Sequence, residues 1–199
     1  MSTVYVKTYP ASAPDFKEVL RYAGIRGENA EALATVRTLY AGTENLFAYR
    51  VCFSKFAVRI TPEGALDLGF CVTPSADLKK NLAGCASVVL FAATVGLGID
   101  RRIAAEGVRS PTNALYLQAL GSERVEALCD LFCSELRART EKDGGFTRPR
   151  FSPGYGDLPL KVQLDVFAAL DCPRYIGVSL KENLMMTPSK SVTAIVGCG

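Results

Sequence analysis

The stretch FTRPRFSPGYGDLPL, from Phe146 to Leu160, is the part of the chain from which the fold can be worked out. Its fifteen residues include three prolines, three aromatic residues, two glycines and two arginines. Proline fixes φ and lacks an amide donor, and glycine tolerates positive φ, so this composition fits neither a helix interior nor a central strand. We predict an extended loop with a sharp turn at Pro153-Gly154.

Large rings in an irregular segment have to be buried against the rest of the domain. A loop that buries them presents backbone amides beside an arginine and a tyrosine, an arrangement that is typical of a ligand site. The same composition also fits a rigid connector between a helix and the C-terminal unit. Both interpretations stay open on composition alone.

The composition is that of an ordinary globular protein. The chain has 199 residues, of which 49% are apolar and 22% charged, with a net charge of +3. We expect one domain over residues 1–199. Positive and negative residues are mixed along the chain, which argues against nucleic acid or an anionic membrane as partner. The longest apolar run, residues 85–99, is too short to cross a bilayer, and the N-terminal residues lack a signal-peptide core, so we expect a cytoplasmic protein.

The chain has seven cysteines and no histidine. Without histidine, Ser-His-Asp and Cys-His catalysis and histidine-metal sites are excluded, and the chain cannot offer an imidazole to a corrinoid cobalt. No cysteine pair has C-x-x-C spacing. Cys129 and Cys133 stand four residues apart on a predicted helix, which is the spacing of half a metal site. Unpaired thiols are more typical of small buried apolar residues in a reducing compartment, so we predict structural cysteines and no metal.

Periodicity and turn residues predict hairpin strands with segregated helices, which is an α+β architecture. The predicted strands are Val4 to Tyr9, Leu46 to Thr61, Ala65 to Cys71, Ala86 to Thr94, Tyr175 to Leu180 and Ser191 to Val196. The predicted helices are Phe16 to Ala23, Asn29 to Tyr40, Asp77 to Leu82, Asn113 to Arg139 with a break near Gly121-Ser122, and Val162 to Leu170.

Two glycines, Gly96 and Gly98, stand between a predicted buried strand and a helical pattern in AATVGLGIDRRI, Ala92 to Ile103. A glycine turn at a helix N-terminus can bind phosphate. The third glycine of a dinucleotide motif and the GK[ST] of a P-loop are both missing. We interpret the segment as a strand-to-helix turn. An unrelated small-molecule enzyme that uses this turn is the minor alternative.

Two C-terminal segments, RFSPGYGDLPL and IGVSLKENLMMTPSKSVTAIVG, resemble the activation (reactivation) domain of cobalamin-dependent methionine synthase. That family carries an R-x-x-x-G-Y signature, then a helix, then a segment like L-x-E-S that ends in P-x-x-S-V. The AATVGLGIDRRI segment and the long helix after it are similar to short stand-alone members of the family. The matching residues are Arg150, Gly154 and Tyr155 in the first motif, and Leu180, Glu182, Pro188, Ser191 and Val192 in the second, where Asn183 stands in place of the motif's serine.

The resemblance implies a C-shaped α+β domain with a twisted antiparallel sheet and flanking helices. It implies a subunit that binds S-adenosylmethionine over the corrin of a cobalamin-binding methionine synthase chain. In that family a flavodoxin-type donor supplies the electron for methylation of the inactive cob(II)alamin, which restores the activity of the synthase. Such a subunit is a component of a methyltransferase and has no catalytic residue of its own. The alternative is a non-catalytic docking protein for a corrinoid methyltransferase that does not bind the ligand.

The residues of the first motif suit this ligand. The planar fork of Arg150 binds a carboxylate bidentately, and the ring face of Tyr155 can meet a sulfonium. Gly154 lets the backbone approach closely. Methyl transfer of this kind is positioning chemistry, so no general acid or base is needed. The resemblance implies a binding site made of Arg150, Phe151, Ser152, Gly154, Tyr155, Glu182 and Ser191.

The sequence leaves the partner of the ligand's ammonium open. The candidates are the carboxylates of Asp15, Glu18, Glu126 and Asp130. The two motifs flank a single predicted helix. We therefore expect the segment from Met185 to Val192 to pack beside the Arg150 stretch and to form one wall of the ligand site.

Overall fold

The computed structural model describes residues 3–199 and contains a main sheet of four antiparallel strands in the order β1-β2-β6-β9. A three-stranded sheet, β3-β4-β5, and a two-stranded sheet, β7-β8, lie beside it. The strands are β1 (Tyr5–Thr8), β2 (Arg50–Ala57), β3 (Arg59–Ile60), β4 (Leu66–Asp67), β5 (Val72–Thr73), β6 (Ser87–Thr94), β7 (Ser179–Leu180), β8 (Met186–Thr187) and β9 (Ser191–Cys198). The helices are α1 (Phe16–Tyr22), α2 (Ala30–Ala41), α3 (Ala76–Asn81), α4 (Leu97–Arg109), α5 (Pro111–Lys142), α6 (Gln163–Leu170) and α7 (Cys172–Ile176).

The central strand β6 is apolar on both faces because helices cover the sheet on both sides. Val89 and Phe91 pack into one core with residues of α1, α2, α4 and α5. Val88 and Leu90 pack into a second core with residues of α3, α6 and α7. Since side chains alternate along a strand, a continuous apolar run is what two buried faces require. The predicted α+β class with antiparallel strands and flanking helices is confirmed.

Polar N-cap residues start the helices where the sequence predicts them. Asp15 accepts from the amides of the first turn of α1, Asn29 from Ala32 N at 2.9 Å, and Ser75 from Leu78 N at 3.1 Å. Each cap satisfies an amide that has no partner within its helix. The turn at Gly96 leads from β6 into α4, as the strand-to-helix interpretation predicts.

Helix α5 corrects the predicted break near Gly121-Ser122, because it runs unbroken from Pro111 to Lys142. A glycine inside a helix costs about 1 kcal/mol but keeps its backbone hydrogen bonds. The structural reason for this glycine is its neighbour. A Cβ added at Gly121 would stand 3.0–3.2 Å from the side-chain carbons of Lys190. The position is therefore a close approach between α5 and the start of β9.

Three predicted strands are shorter than expected. The segment predicted from Leu46 to Thr61 begins after a short 3-10 helix and divides into β2 and β3. The return strand predicted from Ala65 to Cys71 is only β4, although it pairs with β3 as a hairpin. The strand predicted from Tyr175 to Leu180 is wrong in its first half, where α7 extends to Ile176. Pro173 in the first turn favours that helix because its ring presets φ and its missing amide needs no partner.

In residues 3–199 no helix is both long and apolar enough to cross a bilayer.

Candidate functional site

The first half of the stretch that opens at Phe146 is an edge segment of the main sheet. Thr147 lies opposite Cys198, and Phe151 lies opposite Ile195. Between these two pairs the segment advances by four residues, whereas β9 advances by three. One extra residue on one side of an antiparallel pair is a β-bulge, and here it lies among residues 148–150. The predicted loop is thus an irregular fifth strand as far as Phe151.

The bulge decides where Arg150 points. Phe151 is buried among residues of α6 and α7, and its amide and carbonyl both pair with Ile195. Neighbouring side chains of an extended segment leave it on opposite faces. Arg150 accordingly leaves on the face that α5 covers. Pro149 fits at the bulge because an unpaired position there needs no amide donor.

Arg150 meets two carboxylates of helix α5. Its Nη2 lies 2.5 Å from Oε2 of Glu126 and 3.2 Å from Oδ1 of Asp130. The Arg150 side chain is 27% exposed, whereas those of Glu126 and Asp130 are 37% and 74% exposed. The cluster is therefore reachable from solvent, with Asp130 on its outer side.

Ser122, Glu126 and Asp130 follow one another at intervals of four residues, so they share one face of α5. We call these three residues the polar row. Two cations reach it from the edge of the sheet. Arg150 reaches its second and third members, and Lys190 donates from Nζ to Ser122 Oγ at 3.1 Å.

The position of Lys190 follows from strand alternation. Val192 and Ala194 face the core that α5 covers, and Lys190 precedes them at the same two-residue spacing. Burial lowers the pKa of the Lys190 ammonium, and the nearby charge of Asp100 only partly opposes this. Asp100 itself accepts from Ser189 N and Ser189 Oγ and so fixes the start of β9 on α4.

The predicted turn at Pro153-Gly154 is confirmed. Tyr155 N donates to Ser152 O at 3.1 Å, and Gly154 has φ of +87°. A proline at the second position and positive φ at the third are the marks of a type II turn. The turn ends the edge segment and leads into the start of α6.

Tyr155 lies on the other side of this edge from the polar row. Its ring packs edge-on against Phe151 with 5.3 Å between the centroids, and the residue is 69% exposed. Both rings line a groove of about 510 Å³ beside α3 that Asn81 and Arg148 also line. The first motif therefore presents Arg150 and Tyr155 on opposite sides of one strand.

Asp157 fixes the far end of this turn to α3. Its carboxylate accepts from the hydroxyl of Ser75, from Ala76 N at 2.7 Å and from Asp77 N at 3.3 Å. The hydroxyl of Ser75 is the main cause of a lowered pKa for Asp157. The two amides lower it further, against the opposing effect of partial desolvation.

Asp157→Asn should lower the melting temperature at neutral pH, because an amide accepts these hydrogen bonds more weakly than a carboxylate. A lowered folded-state pKa gives stability that is full above the ordinary aspartate pKa of about 4 and is lost as pH falls through the lowered pKa. Thermal melts of both proteins between pH 7 and 2 should therefore converge at acid pH. Asp165→Asn, an exposed carboxylate on α6, is the control. A difference in melting temperature between Asp157→Asn and wild type that stays constant across this pH range would contradict the role of the Asp157 carboxylate in fixing the turn to α3.

The second motif lies at the same edge of the sheet but makes different contacts. Gln163 links α6 to the hairpin by donating to Leu184 O at 3.4 Å, and it accepts from Thr193 Oγ1 on β9 at 2.7 Å. Ser191 is buried, and its hydroxyl donates to Pro188 O at 2.8 Å. The same Oγ lies 2.9 Å from Thr94 Oγ1 on β6. The backbone of the Arg150 stretch pairs with β9 at Ile195, three residues beyond Val192. The wall that we expect from the segment from Met185 to Val192 therefore stays a prediction.

The structure separates the side chains that the sequence groups into one site. Arg150 meets the polar row, whereas Phe151 lies in the opposite core and Ser191 ties β9 to β6. Glu182 is exposed at the hairpin between β7 and β8. Across residues 3–199, no hydrogen bond or ion pair joins Glu182 or Ser191 to Arg150.

Among the four candidate partners for an ammonium, the structure places two beside Arg150. Asp15 caps α1 and Glu18 pairs with Arg21 on that helix. Glu126 and Asp130 are the carboxylates at the site. Sequence reasoning missed Ser122 and Lys190. The four-residue spacing of the polar row and the strand parity of Lys190 were the available signals.

The cysteines should behave as structural residues. Burial raises the pKa of the Cys71 thiol to about 12 and that of Cys133 to about 11, and it also raises the pKa of Cys129. Because thiolates are the reactive form, iodoacetamide at pH 7.5 should modify the native protein slowly and all seven thiols after unfolding. Rapid modification of the native protein, or stoichiometric zinc or iron after purification without added metal, would overturn this.

A scan against protein-family models gives no match, and a search of curated proteins gives none either. Among solved structures, the chain is similar to the MetH reactivation domain bound to AdoHcy (S-adenosylhomocysteine). The TM-score is 0.68 at 16% sequence identity, and the match covers 98% of this chain and 78% of that chain. The likeness establishes that this chain has the fold of that domain.

Proposed function

We propose that this chain is an S-adenosylmethionine-binding reactivation subunit of a cobalamin-dependent methionine synthase. The observation that carries the proposal is the placement of Arg150 beside Glu126 and Asp130. Two lines support it. The R-x-x-x-G-Y motif supplies Arg150, and the chain shares its fold with a reactivation domain whose solved structure contains AdoHcy.

An arginine between two carboxylates complements an α-amino-acid group, which carries one carboxylate and one ammonium. The guanidinium fork can bind the ligand's carboxylate bidentately. The ammonium then pairs with the carboxylates that the arginine releases. Asp130 is the more exposed partner and the more distant one at 3.2 Å, so the ligand displaces it first. Displacing Asp130 costs little free energy, because a solvent-exposed ion pair contributes only about 0–1 kcal/mol to stability.

The residues of this chain act by binding and orienting the ligand. Arg150, Glu126 and Asp130 hold its amino-acid end, so that the sulfonium projects from the edge of the sheet. Cobalamin held by a partner chain would supply the cobalt that accepts the methyl group, with one electron from a flavodoxin-type donor and AdoHcy as the leaving group. This step transfers no proton, which agrees with a site that contains no histidine. We further propose that the protein works in the cytoplasm.

One observation favours the alternative, a docking protein for a corrinoid methyltransferase that does not bind the ligand. Arg150 already has two carboxylate partners within the chain, and Phe151 and Ser191 are committed to the core and to β6. In that case the Arg150 cluster only fastens the edge segment to α5. The docking protein would bind the corrinoid chain equally well with or without S-adenosylmethionine.

Reactivation can be tested with a cobalamin-dependent methionine synthase that lacks its own reactivation domain. The synthase is prepared as cob(II)alamin and mixed with this chain, S-adenosylmethionine and reduced flavodoxin. The expected result is recovery of turnover and loss of the cob(II)alamin absorption, only when all components are present. A complex that forms but never recovers turnover would support the docking protein instead.

A further inference from the structure

Lys190 is the second cation at the polar row, and the chain makes room for it. Its side-chain carbons lie over Gly121, where an added Cβ would stand 3.0–3.2 Å from them. Its Nζ donates to Ser122 Oγ at 3.1 Å. Even an alanine at position 121 would push the lysine away from α5. The packing of α5 against the start of β9 therefore fixes the position of the ammonium.

The ammonium of Lys190 has hydrogen-bonding capacity that the protein does not use. It carries three N–H donors, and one of them bonds to Ser122. Within the described part of the chain, the Lys190 ammonium forms no ion pair with a carboxylate. A partly buried ammonium with donors to spare gains most from an acceptor on a ligand.

The spacing along α5 suggests which part of a ligand would meet this ammonium. Arg150 stands between the levels of Glu126 and Asp130, and Lys190 stands at Ser122. At 1.5 Å per residue, the two levels are about 9 Å apart along the helix. With the amino-acid end of S-adenosylmethionine at Arg150, the methionyl chain spans that interval and brings the ribose to Lys190.

We propose that Lys190 is a specificity-determining ligand contact whose ammonium donates to the ribose hydroxyl oxygens of the bound nucleoside. This inference rests on the proposed function. It assigns the ribose end of the ligand to the start of the polar row and its amino-acid end to Arg150. Ser122 then holds the lysine in place before the ligand arrives.

The test compares AdoHcy with its 2′,3′-dideoxyribose analogue by calorimetric titration of the same protein. Wild type should bind AdoHcy about tenfold more tightly, since the analogue cannot accept the hydrogen bond from the ammonium. Lys190→Met keeps the apolar stem over Gly121 and should bind both ligands equally. Ser122→Ala should reduce the preference only in part, because the ammonium is still present but has lost the hydroxyl that holds it. Lys181→Met, an exposed lysine on the neighbouring hairpin, is the matched control.

The outcomes separate the role of Lys190 from the proposed function. Equal affinity of wild type for both ligands, or an unchanged preference in Lys190→Met, overturns the role of Lys190 and leaves the proposed function standing. Failure of wild type to bind either ligand overturns the proposed function and this inference together. The wild-type comparison needs no substitution, so it holds whatever the stability of the variants.

Discussion

Arg150→Ala should bind S-adenosylmethionine and AdoHcy about 10- to 100-fold more weakly than wild type. In the proposed function Arg150 makes a charge-assisted contact to the ligand's carboxylate, and losing such a contact costs roughly 1.5–3 kcal/mol. Arg150→Lys should recover only part of the affinity, because an ammonium cannot present two parallel donors. Calorimetric titration measures the affinities, and thermal melts show whether each variant is folded.

The alternative makes a different prediction for the same protein. If Arg150 only fastens the edge segment to α5, Arg150→Ala lowers the melting temperature and leaves the affinity of the folded protein nearly unchanged. Arg109→Ala, an exposed arginine at the end of α4, serves as the control for loss of a positive charge. Wild-type affinity in folded Arg150→Ala would remove the carboxylate-binding role and favour the docking protein.

Glu123→Ala should cost about 3–5 kcal/mol of unfolding free energy, because it strands a buried guanidinium. The Arg124 side chain is 2% exposed, and its Nε and Nη2 lie 2.5 Å and 2.6 Å from the two oxygens of Glu123. Its Nη1 donates to Ser12 O at 2.6 Å and so fastens the N-terminal segment to α5. A loss of that size is a large share of the total stability of a typical domain.

Urea unfolding followed by circular dichroism measures this loss. Glu141→Ala, an exposed carboxylate near the end of the same helix, should change stability by less than about 0.5 kcal/mol. The double variant Glu123→Leu/Arg124→Met should lie much closer to wild type, since replacing both members of a buried ion pair by apolar residues is often nearly neutral. A loss below about 1 kcal/mol for Glu123→Ala would show that water reaches Arg124.

Local chemistry was enough to predict much of the fold. The apolar run of β6, the helix α3 and the turn at Pro153-Gly154 depend on neighbours within a few residues. For the same reason the strand pattern from Tyr175 was misleading. The proline two residues earlier starts a helical turn that a β-like composition conceals.

The direction of each site residue could not be predicted, because it depends on register between distant segments. One extra residue among positions 148–150 turns Arg150 towards α5 and Phe151 into the opposite core. No residue pattern within the R-x-x-x-G-Y motif predicts that bulge. Gly121 was likewise misread as a helix break, since the lysine that needs its space lies 69 residues later in the chain.

Calorimetric titration of the wild-type chain with AdoHcy tests the proposed ligand binding without any substitution. A reactivation subunit should bind one AdoHcy per chain saturably, in competition with S-adenosylmethionine. A folded protein that binds neither ligand more tightly than about 1 mM, which corresponds to −4.1 kcal/mol, would contradict the proposed ligand binding.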